Sequence, residues 1–129
     1  MRFRELARGE ITARPESFGD FVIARKEMPA SYHLAVTVDD DLQGVSLVTR
    51  GEDLFEATHV QRLLQSLLGL GTPDYLHHPL VYDLSGRRLA KRDRDVTLRA
   101  LRAAGMTPAQ VRELAKSRGE QAGAAQRRA

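Results

Sequence analysis

Apolar side chains fall in short runs of strand length in the first part of the chain. Residues 18–25 and 31–38 are rich in aromatic and β-branched side chains, and residues 26–30 between them carry a proline that suits a turn. This arrangement predicts a β-hairpin. The apolar side chains of 31–38 are nearly continuous, which is typical of a strand buried on both faces.

A strand, a helix and a second strand are predicted next. Residues 45–49 and residues 75–82 are the two β-rich runs. Between them, Thr58 and Gln61 have the spacing of a capping box, which predicts the start of a helix, and Gly69 marks its end. The apolar residues of this helix recur at helical spacing, at Val60, Leu63, Leu64, Leu67 and Leu68. The pattern predicts a βαβ crossover between parallel strands.

The remaining segments are polar or helical. Residues 83–86 predict a turn and residues 87–93 a basic loop. Asp95 is placed to cap a helix that Gly105 ends, and a last helix is predicted from Thr107 to about Lys116. The predicted organisation is an α/β fold with a polar lead-in at 1–17, the main α/β part at 18–92, a helical region at 93–117 and a disordered tail at 118–129.

Composition limits the class of protein. The chain has 129 residues, of which 42% are hydrophobic and 29% charged, so one globular domain is expected. It contains no cysteine, which excludes disulfides, zinc knuckles and thiol nucleophiles. No apolar run approaches the roughly 20 residues that span a bilayer, and the start lacks a secretory h-region. We therefore expect a cytoplasmic protein without a membrane partner.

Charge is distributed unevenly along the chain. Residues 1–85 contain 8 Lys and Arg against 13 Asp and Glu, whereas residues 86–129 contain 12 against 4. A basic segment this concentrated favours contact with phosphate groups of a nucleotide or a nucleic acid. A solvated charged surface without a partner is the alternative.

Three blocks of sequence occur in a characteristic order. They are DFVIAR with SYHLAVTVDD (residues 20–25 and 31–40), QGVSLVTRGEDL (43–54), and HHPL leading into GRRLAKR (77–92). Together they resemble the second half of the Rossmann-like catalytic domain of class I glutamyl-type aminoacyl-tRNA synthetases, over about residues 18–116. The phrases LAVTVDD and LQGV are most similar to the glutamyl-Q tRNA(Asp) synthetase branch of that family.

The resemblance implies an ATP-dependent ligase. In that branch, glutamate is activated as glutamyl-adenylate and transferred to the queuosine of tRNA(Asp), so glutamate, ATP with Mg²⁺ and tRNA are the expected partners. No zinc is expected, because the family's zinc-binding insert needs cysteines. The family's H-I-G-H-type ATP motif does not occur in this sequence. We therefore expect an inactive fragment of a truncated or split reading frame, or a chain that works with a separately encoded amino-terminal half.

Two residues are implied in glutamate binding. Carried over by the resemblance, Tyr32 and Arg50 line the glutamate pocket, where an arginine fork suits a carboxylate and a tyrosine hydroxyl adds a polar contact. Without the resemblance, Tyr32 is a half-buried strand aromatic, and Arg50 is a surface partner of Glu52 or Asp53.

A basic loop is implied in ATP binding. Arg88, Leu89, Ala90, Lys91 and Arg92 occupy the position of the family's K-M-S-K-S-type loop. The resemblance makes Lys91 the catalytic cation that neutralises charge on the triphosphate, with Arg88 and Arg92 as further ATP ligands. Arg88 replaces a lysine and Ala90 a serine of that motif, and a solvated basic turn is the alternative. We expect Arg50 and Lys91 to face one cavity.

Other functions remain open from the sequence. The chain could be part of a glutamyl-tRNA synthetase, or a non-catalytic tRNA-binding half-domain that uses its basic end. A metal site at His77 and His78 is not expected, because adjacent residues of a strand point to opposite faces.

Overall fold

The computed structural model describes residues 1–82 and 97–126, with side chains as far as residue 117. The chain divides into two units, Met1–His78 and Pro79–Ala129. The predicted turn at 83–86, the basic loop at 87–93 and the predicted cap Asp95 lie outside the described residues.

A four-stranded mixed sheet forms the centre of the first unit. Its strands are β1 (Arg2–Glu5), β2 (Gly9–Thr12), β3 (Leu47–Gly51) and β4 (Asp74–His78). The spatial order is β2-β1-β4-β3, with β1, β4 and β3 mutually parallel and β2 antiparallel to β1. The predicted parallel pair with a helical connection is therefore confirmed, as is the α/β fold class.

The connecting helix α2 (Phe55–Leu68) lies on one face of this sheet. It follows a 3-10 turn at Glu52–Leu54 and has no side-chain cap, so the predicted capping box is wrong. Thr58 and Gln61 form an inward-facing polar pair instead, which has the same spacing of three residues as a capping box. The predicted end is confirmed, because Gly69 adopts φ 68° and the next backbone N–H bonds to the carbonyl of Gln65.

The hairpin predicted at residues 18–25 and 31–38 is wrong. Its second half is the helix α1 (Tyr32–Leu42), which packs against α2, and its first half contains no strand. Ser31 caps α1 by accepting a hydrogen bond from the backbone N–H of Leu34 at 3.4 Å. The turn predicted at residues 26–30 does form, through reciprocal backbone hydrogen bonds of Arg25 and Met28. An N-terminal cap, with tertiary packing, outweighs the β propensity of the valines.

The polar lead-in predicted at 1–17 instead supplies half of the sheet. Phe3 and Glu5 of β1 are buried, while the side chains between and before them are exposed. This alternation is that of a strand with one covered face, over a length too short to stand out in the sequence.

The interior of the first unit is small and polar. Phe3, Ala13 and Tyr75 form its apolar cluster, with Ile11, Val48 and Phe55 packed around them. Among the described residues, buried polar side chains outnumber buried apolar ones; they are Glu5, Thr37, Arg50, Thr58, His59, Gln61, Gln65 and His77. A core built for stability alone contains few such groups, so this interior indicates a binding site.

Two helices are described in the second unit. They are α3 (Leu98–Ala103), capped by the Thr97 side chain, and α4 (Pro108–Gln126). The backbone of α4 continues well past Lys116 into the segment for which a disordered tail is predicted. Within the described ranges, no helix is both long and apolar enough to cross a membrane.

Candidate functional site

Arg50 is the centre of the buried polar cluster. It is the fourth residue of β3, 9% exposed, and its side chain points towards α2. The guanidinium donates from Nη1 to Gln61 Oε1 at 2.7 Å, from Nη2 to Thr58 Oγ1, and from Nε to His77 Nε2 at 3.2 Å. These contacts use three of its five N–H groups. Glu52, a salt-bridge partner considered from the sequence, pairs with Arg8 instead.

Tyr75 completes the immediate surroundings of this arginine. The guanidinium carbon lies 5.3 Å from the centre of the Tyr75 ring, and Gln65 Nε2 donates to the Tyr75 hydroxyl at 2.9 Å. Burial lowers the pKa of Arg50, while Tyr75, Tyr32 and Asp40 oppose that effect and favour the charged form. The site therefore holds a cation in a fixed orientation in a partly desolvated interior.

Glu5 of β1 holds the backbone of His77 in β4. The Glu5 carboxylate accepts the backbone N–H of His77 and of Ala7, each at 2.9 Å. Burial would raise the pKa of Glu5, but these backbone donors outweigh it and the pKa is lowered. Burial and the Arg50 charge lower the pKa of His77, against the opposing effect of Glu5. Glu5 is therefore an anion, and His77 a neutral imidazole, at neutral pH.

Helix α1 brings its polar residues to the same place. Tyr32 and Asp40 both lie close enough to Arg50 to favour its charge. Eight residues span about 12 Å in a helix but about 26 Å in a strand, so only the helix lets both reach one guanidinium. Burial raises the pKa of Asp40, although Arg50 counteracts it. Tyr32 is 54% exposed, which leaves its side chain accessible to a ligand.

Two of the site residues implied by the resemblance are thus brought together. Tyr32 and Arg50 share one site, whereas Lys91, Arg88, Leu89, Ala90 and Arg92 lie outside the described residues. The cavity shared by Arg50 and Lys91 therefore stays a prediction. His77 and His78 do face opposite ways, one buried and one exposed. Over residues 1–82 and 97–117, no cluster of three or more His, Asp or Glu side chains suits a metal ion.

Seven residues of this site are not identified as such from the sequence. They are Glu5, Asp40, Thr58, Gln61, Gln65, Tyr75 and His77. The i, i+3 spacing of Thr58 and Gln61 could have indicated a polar pair on the inner face of α2, since both interrupt its apolar positions. Glu5 has no local signal, because its burial depends on β4, seventy residues further along the chain.

Comparison with known proteins identifies the family. The model of class I tRNA synthetases (E and Q), catalytic domain, matches residues 1–127. The glutamyl-Q tRNA(Asp) synthetase of Rhodobacter capsulatus is 54% identical over 111 residues, which make up 83% of this chain and 40% of that protein. The glutamate–tRNA ligase 2 of Neorickettsia sennetsu is 38% identical over 108 residues, or 84% of this chain and 26% of that protein.

A solved structure agrees with this similarity. The crystal structure of a glutamate tRNA ligase from Elizabethkingia meningosepticum in complex with its amino acid has a TM-score of 0.61 at 26% identity, and the match covers 74% of this chain and 19% of that one. The chain spans less than half the length of each of these relatives. Because the family model matches nearly the whole sequence, the chain belongs to the catalytic-domain family of class I tRNA synthetases of the E and Q type.

Proposed function

We propose that the Met1–His78 unit binds the side-chain carboxylate of glutamate through Arg50 and Tyr32. The observation that carries this proposal is the buried Arg50 guanidinium, held on three sides by Gln61, Thr58 and His77. The Tyr32 side chain also hydrogen-bonds the guanidinium, so the N–H group left over and the Tyr32 hydroxyl together suit a carboxylate. A fixed and partly desolvated cation binds an anion more strongly than a solvated one.

The proposed reaction is that of the glutamyl-Q tRNA(Asp) synthetase branch. Glutamate reacts with ATP to give glutamyl-adenylate and pyrophosphate, and the glutamyl group then passes to the queuosine of tRNA(Asp). The 54% identity to the Rhodobacter capsulatus protein supports this branch. Lys91, with Arg88 and Arg92, is proposed to bind the triphosphate, where Mg²⁺ would add positive charge. We propose that the remaining ATP contacts come from a separately encoded amino-terminal part, and that the isolated chain is inactive.

Glutamate binding is tested on the chain itself by calorimetry. We expect the wild-type protein to bind glutamate in preference to glutamine. Arg50→Lys replaces a planar fork by a point charge, and should weaken binding about tenfold or more. Arg4→Lys is the matched control, because Arg4 is exposed and its side chain lies on the opposite face of the sheet. Equal losses in the two variants, or equal affinity for glutamine, would contradict the proposal.

The role of Lys91 is tested in a chimera. This chain replaces the matching segment of the Rhodobacter capsulatus protein, and glutamate-dependent ATP–pyrophosphate exchange is measured. Lys91→Ala should lower kcat about 10²-fold or more, as expected for loss of a charge that stabilises a transition state. Lys116→Ala is the control, because Lys116 forms an exposed ion pair with Glu113. A chimera with unchanged kcat in Lys91→Ala would refute this role.

A second acceptor is supported by the glutamate–tRNA ligase 2 relative. In that case the glutamyl group is transferred to the 3′ end of a tRNA. Charging of tRNA(Asp) containing queuosine, compared with tRNA(Glu), separates the two reactions in the same chimera. A non-catalytic tRNA-binding role predicts instead salt-dependent tRNA binding by the isolated chain without any exchange activity.

A further inference from the structure

We infer that Glu5 and His77 are positioning residues that orient Arg50 through one tautomer of the His77 ring. The three residues come from three adjacent parallel strands: Glu5 from β1, His77 from β4 and Arg50 from β3. This inference rests on the proposed function for its consequence, glutamate binding, but its geometric part can be tested without any ligand.

The hydrogen-bond pattern fixes the tautomer. Arg50 Nε always carries a hydrogen, so His77 Nε2, at 3.2 Å from it, must be the acceptor. The ring proton is then on Nδ1, which lies 3.6 Å from Glu5 Oε1. Thr58 Oγ1 accepts from Arg50 Nη2 and can donate its own hydrogen to the Leu54 carbonyl at 3.4 Å, which leaves the single lone pair of Nε2 to Arg50 Nε. The pattern is consistent only with the neutral Nδ1–H form.

The carboxylate sits where it favours that form. Glu5 is fully buried and held by two backbone donors, so it cannot turn away from β4. Its charge attracts the Nδ1 hydrogen, and the tautomer with hydrogen on Nε2 would direct that hydrogen at the Arg50 guanidinium. At 3.6 Å the attraction between Glu5 and Nδ1 is electrostatic, because Nδ1 makes no hydrogen bond to a described residue, and it still favours a proton on that nitrogen.

The charges around the ring act in opposite directions on its protonation: Arg50 and Arg8 disfavour the imidazolium, whereas Glu5 favours it. Glu5 and Arg8 approach from β1 and the turn after it, Arg50 from β3 and Tyr75 from β4 itself, while Phe55 of α2 covers the ring. A proton on Nε2 would remove the acceptor for Arg50 and place two cations side by side. The Nε–H of Arg50 is therefore held only while His77 is neutral, and Gln61 and Thr58 hold the other end of the guanidinium.

The tautomer is measured directly on the wild-type chain. A long-range ¹H–¹⁵N correlation spectrum of the histidine side chains reports which ring nitrogen is protonated. We expect Nδ1–H for His77 at neutral pH, and slow exchange of the Arg50 Nε–H with water. An Nε2–H tautomer, or a rapidly exchanging Arg50 Nε–H, would overturn the inference whether or not glutamate binds.

Substitutions then test the consequence for binding. In His77→Gln the amide oxygen can replace Nε2 as acceptor, whereas His77→Leu has no acceptor. We expect His77→Leu to lose the protected Arg50 signal and to bind glutamate about tenfold more weakly, with His77→Gln restoring most of both. Glu5→Gln should populate the Nε2–H tautomer and weaken binding several-fold. His78→Gln, the exposed neighbour, is the matched control.

The pH profile separates orientation from folding. Glutamate affinity should fall together with the protected Arg50 signal as His77 becomes protonated, at a pH below the ordinary histidine value of 6.5. The same profile in His77→Gln should be markedly flatter in that range, with the remaining dependence due to His33, whose pKa is also lowered by burial and by Arg50. A fall of equal size in His77→Gln would show that His77 does not orient Arg50. Absence of glutamate binding with an intact Nδ1–H tautomer would refute the proposed function but not the orientation.

Discussion

A single guanidinium organises the polar residues buried beneath α2. Arg50 bonds to side chains of α2 and β4 and lies over the Tyr75 ring, so strand and helix are joined through one charged group. A buried charge is tolerated only where its hydrogen bonds are satisfied, and removal of one partner exposes the full cost of desolvation. Each partner of Arg50 should therefore affect stability as well as ligand binding.

Gln61→Leu tests this cost at one contact. The substitution keeps the size of the side chain but removes the acceptor 2.7 Å from Arg50 Nη1. We expect a loss of about 1–3 kcal/mol in the free energy of unfolding, measured by urea denaturation. Gln43→Leu, at an exposed position after α1, is the control and should change stability by less than about 0.5 kcal/mol. A smaller loss for Gln61→Leu than for the control would show that Arg50 does not depend on this contact.

Acid should destabilise the fold in two stages. The pKa values of His77 and His33 are lowered from 6.5, so the unfolded chain binds their protons first and stability falls as the pH drops below 6.5. The pKa of Glu5 is lowered from 4.5, which adds a second loss below that value. Asp40 acts in the opposite direction, because its pKa is raised from 3.8.

Urea denaturation at a series of pH values measures this dependence. His77→Gln should remove part of the loss just below pH 6.5, and leave the loss below pH 4.5 in place. Stability that is constant from pH 7 to pH 5 would contradict the neutral, buried state of His77.

Local sequence patterns predict the elements α2, β3 and β4. They do not predict α1 or the β1–β2 pair. The periodic apolar residues of α2 and the glycine after it predict the helix and its end. They do not predict its buried face, because Leu67 and Leu68 are exposed while Gln61 and Gln65 are buried. In α1, three β-branched residues among 36–38 favour a strand, and only Ser31 indicates a helix start. Short β1 depends on pairing with β4, which no local pattern contains. The glutamate-binding roles of Arg50 and Tyr32 are implied only by the resemblance to the family.

Ser31→Ala tests the start of α1. Loss of the cap to the Leu34 N–H should lower the free energy of unfolding by about 0.5–1 kcal/mol, toward the lower end because the bond is 3.4 Å long. Because α1 carries Tyr32, glutamate affinity should fall in the same variant. Ser66→Ala, at an exposed position within α2, is the control and should be neutral or slightly stabilising, since alanine favours helix. Equal stability of the two variants would show that Ser31 does not cap α1.

For the first unit as a whole, the sheet has one covered face and one open face. Phe3, Glu5, Val48, Arg50, Tyr75 and His77 point towards α2 and the buried cluster. On the other face, Arg2, Arg4, Leu47, Thr49, Leu76 and His78 are exposed or only partly covered. Open α/β sheets normally carry helices on both faces. Since the chain spans 40% of its Rhodobacter capsulatus relative, we expect the further part of such a domain to pack on this open face.

The exposed edge of this sheet should make the isolated chain associate. Among the described strands, β3 is an edge strand, and Leu47 on its open side is 40% exposed. Unpaired edges with apolar side chains pair with other chains, while a lysine on the edge prevents it. Sedimentation velocity of the wild-type chain should therefore show a weight-average mass that rises with concentration, and Leu47→Lys should reduce that rise. Leu68→Lys, exposed on α2, is the control for a general gain in solubility. If both variants reduce association equally, the β3 edge does not mediate the contact.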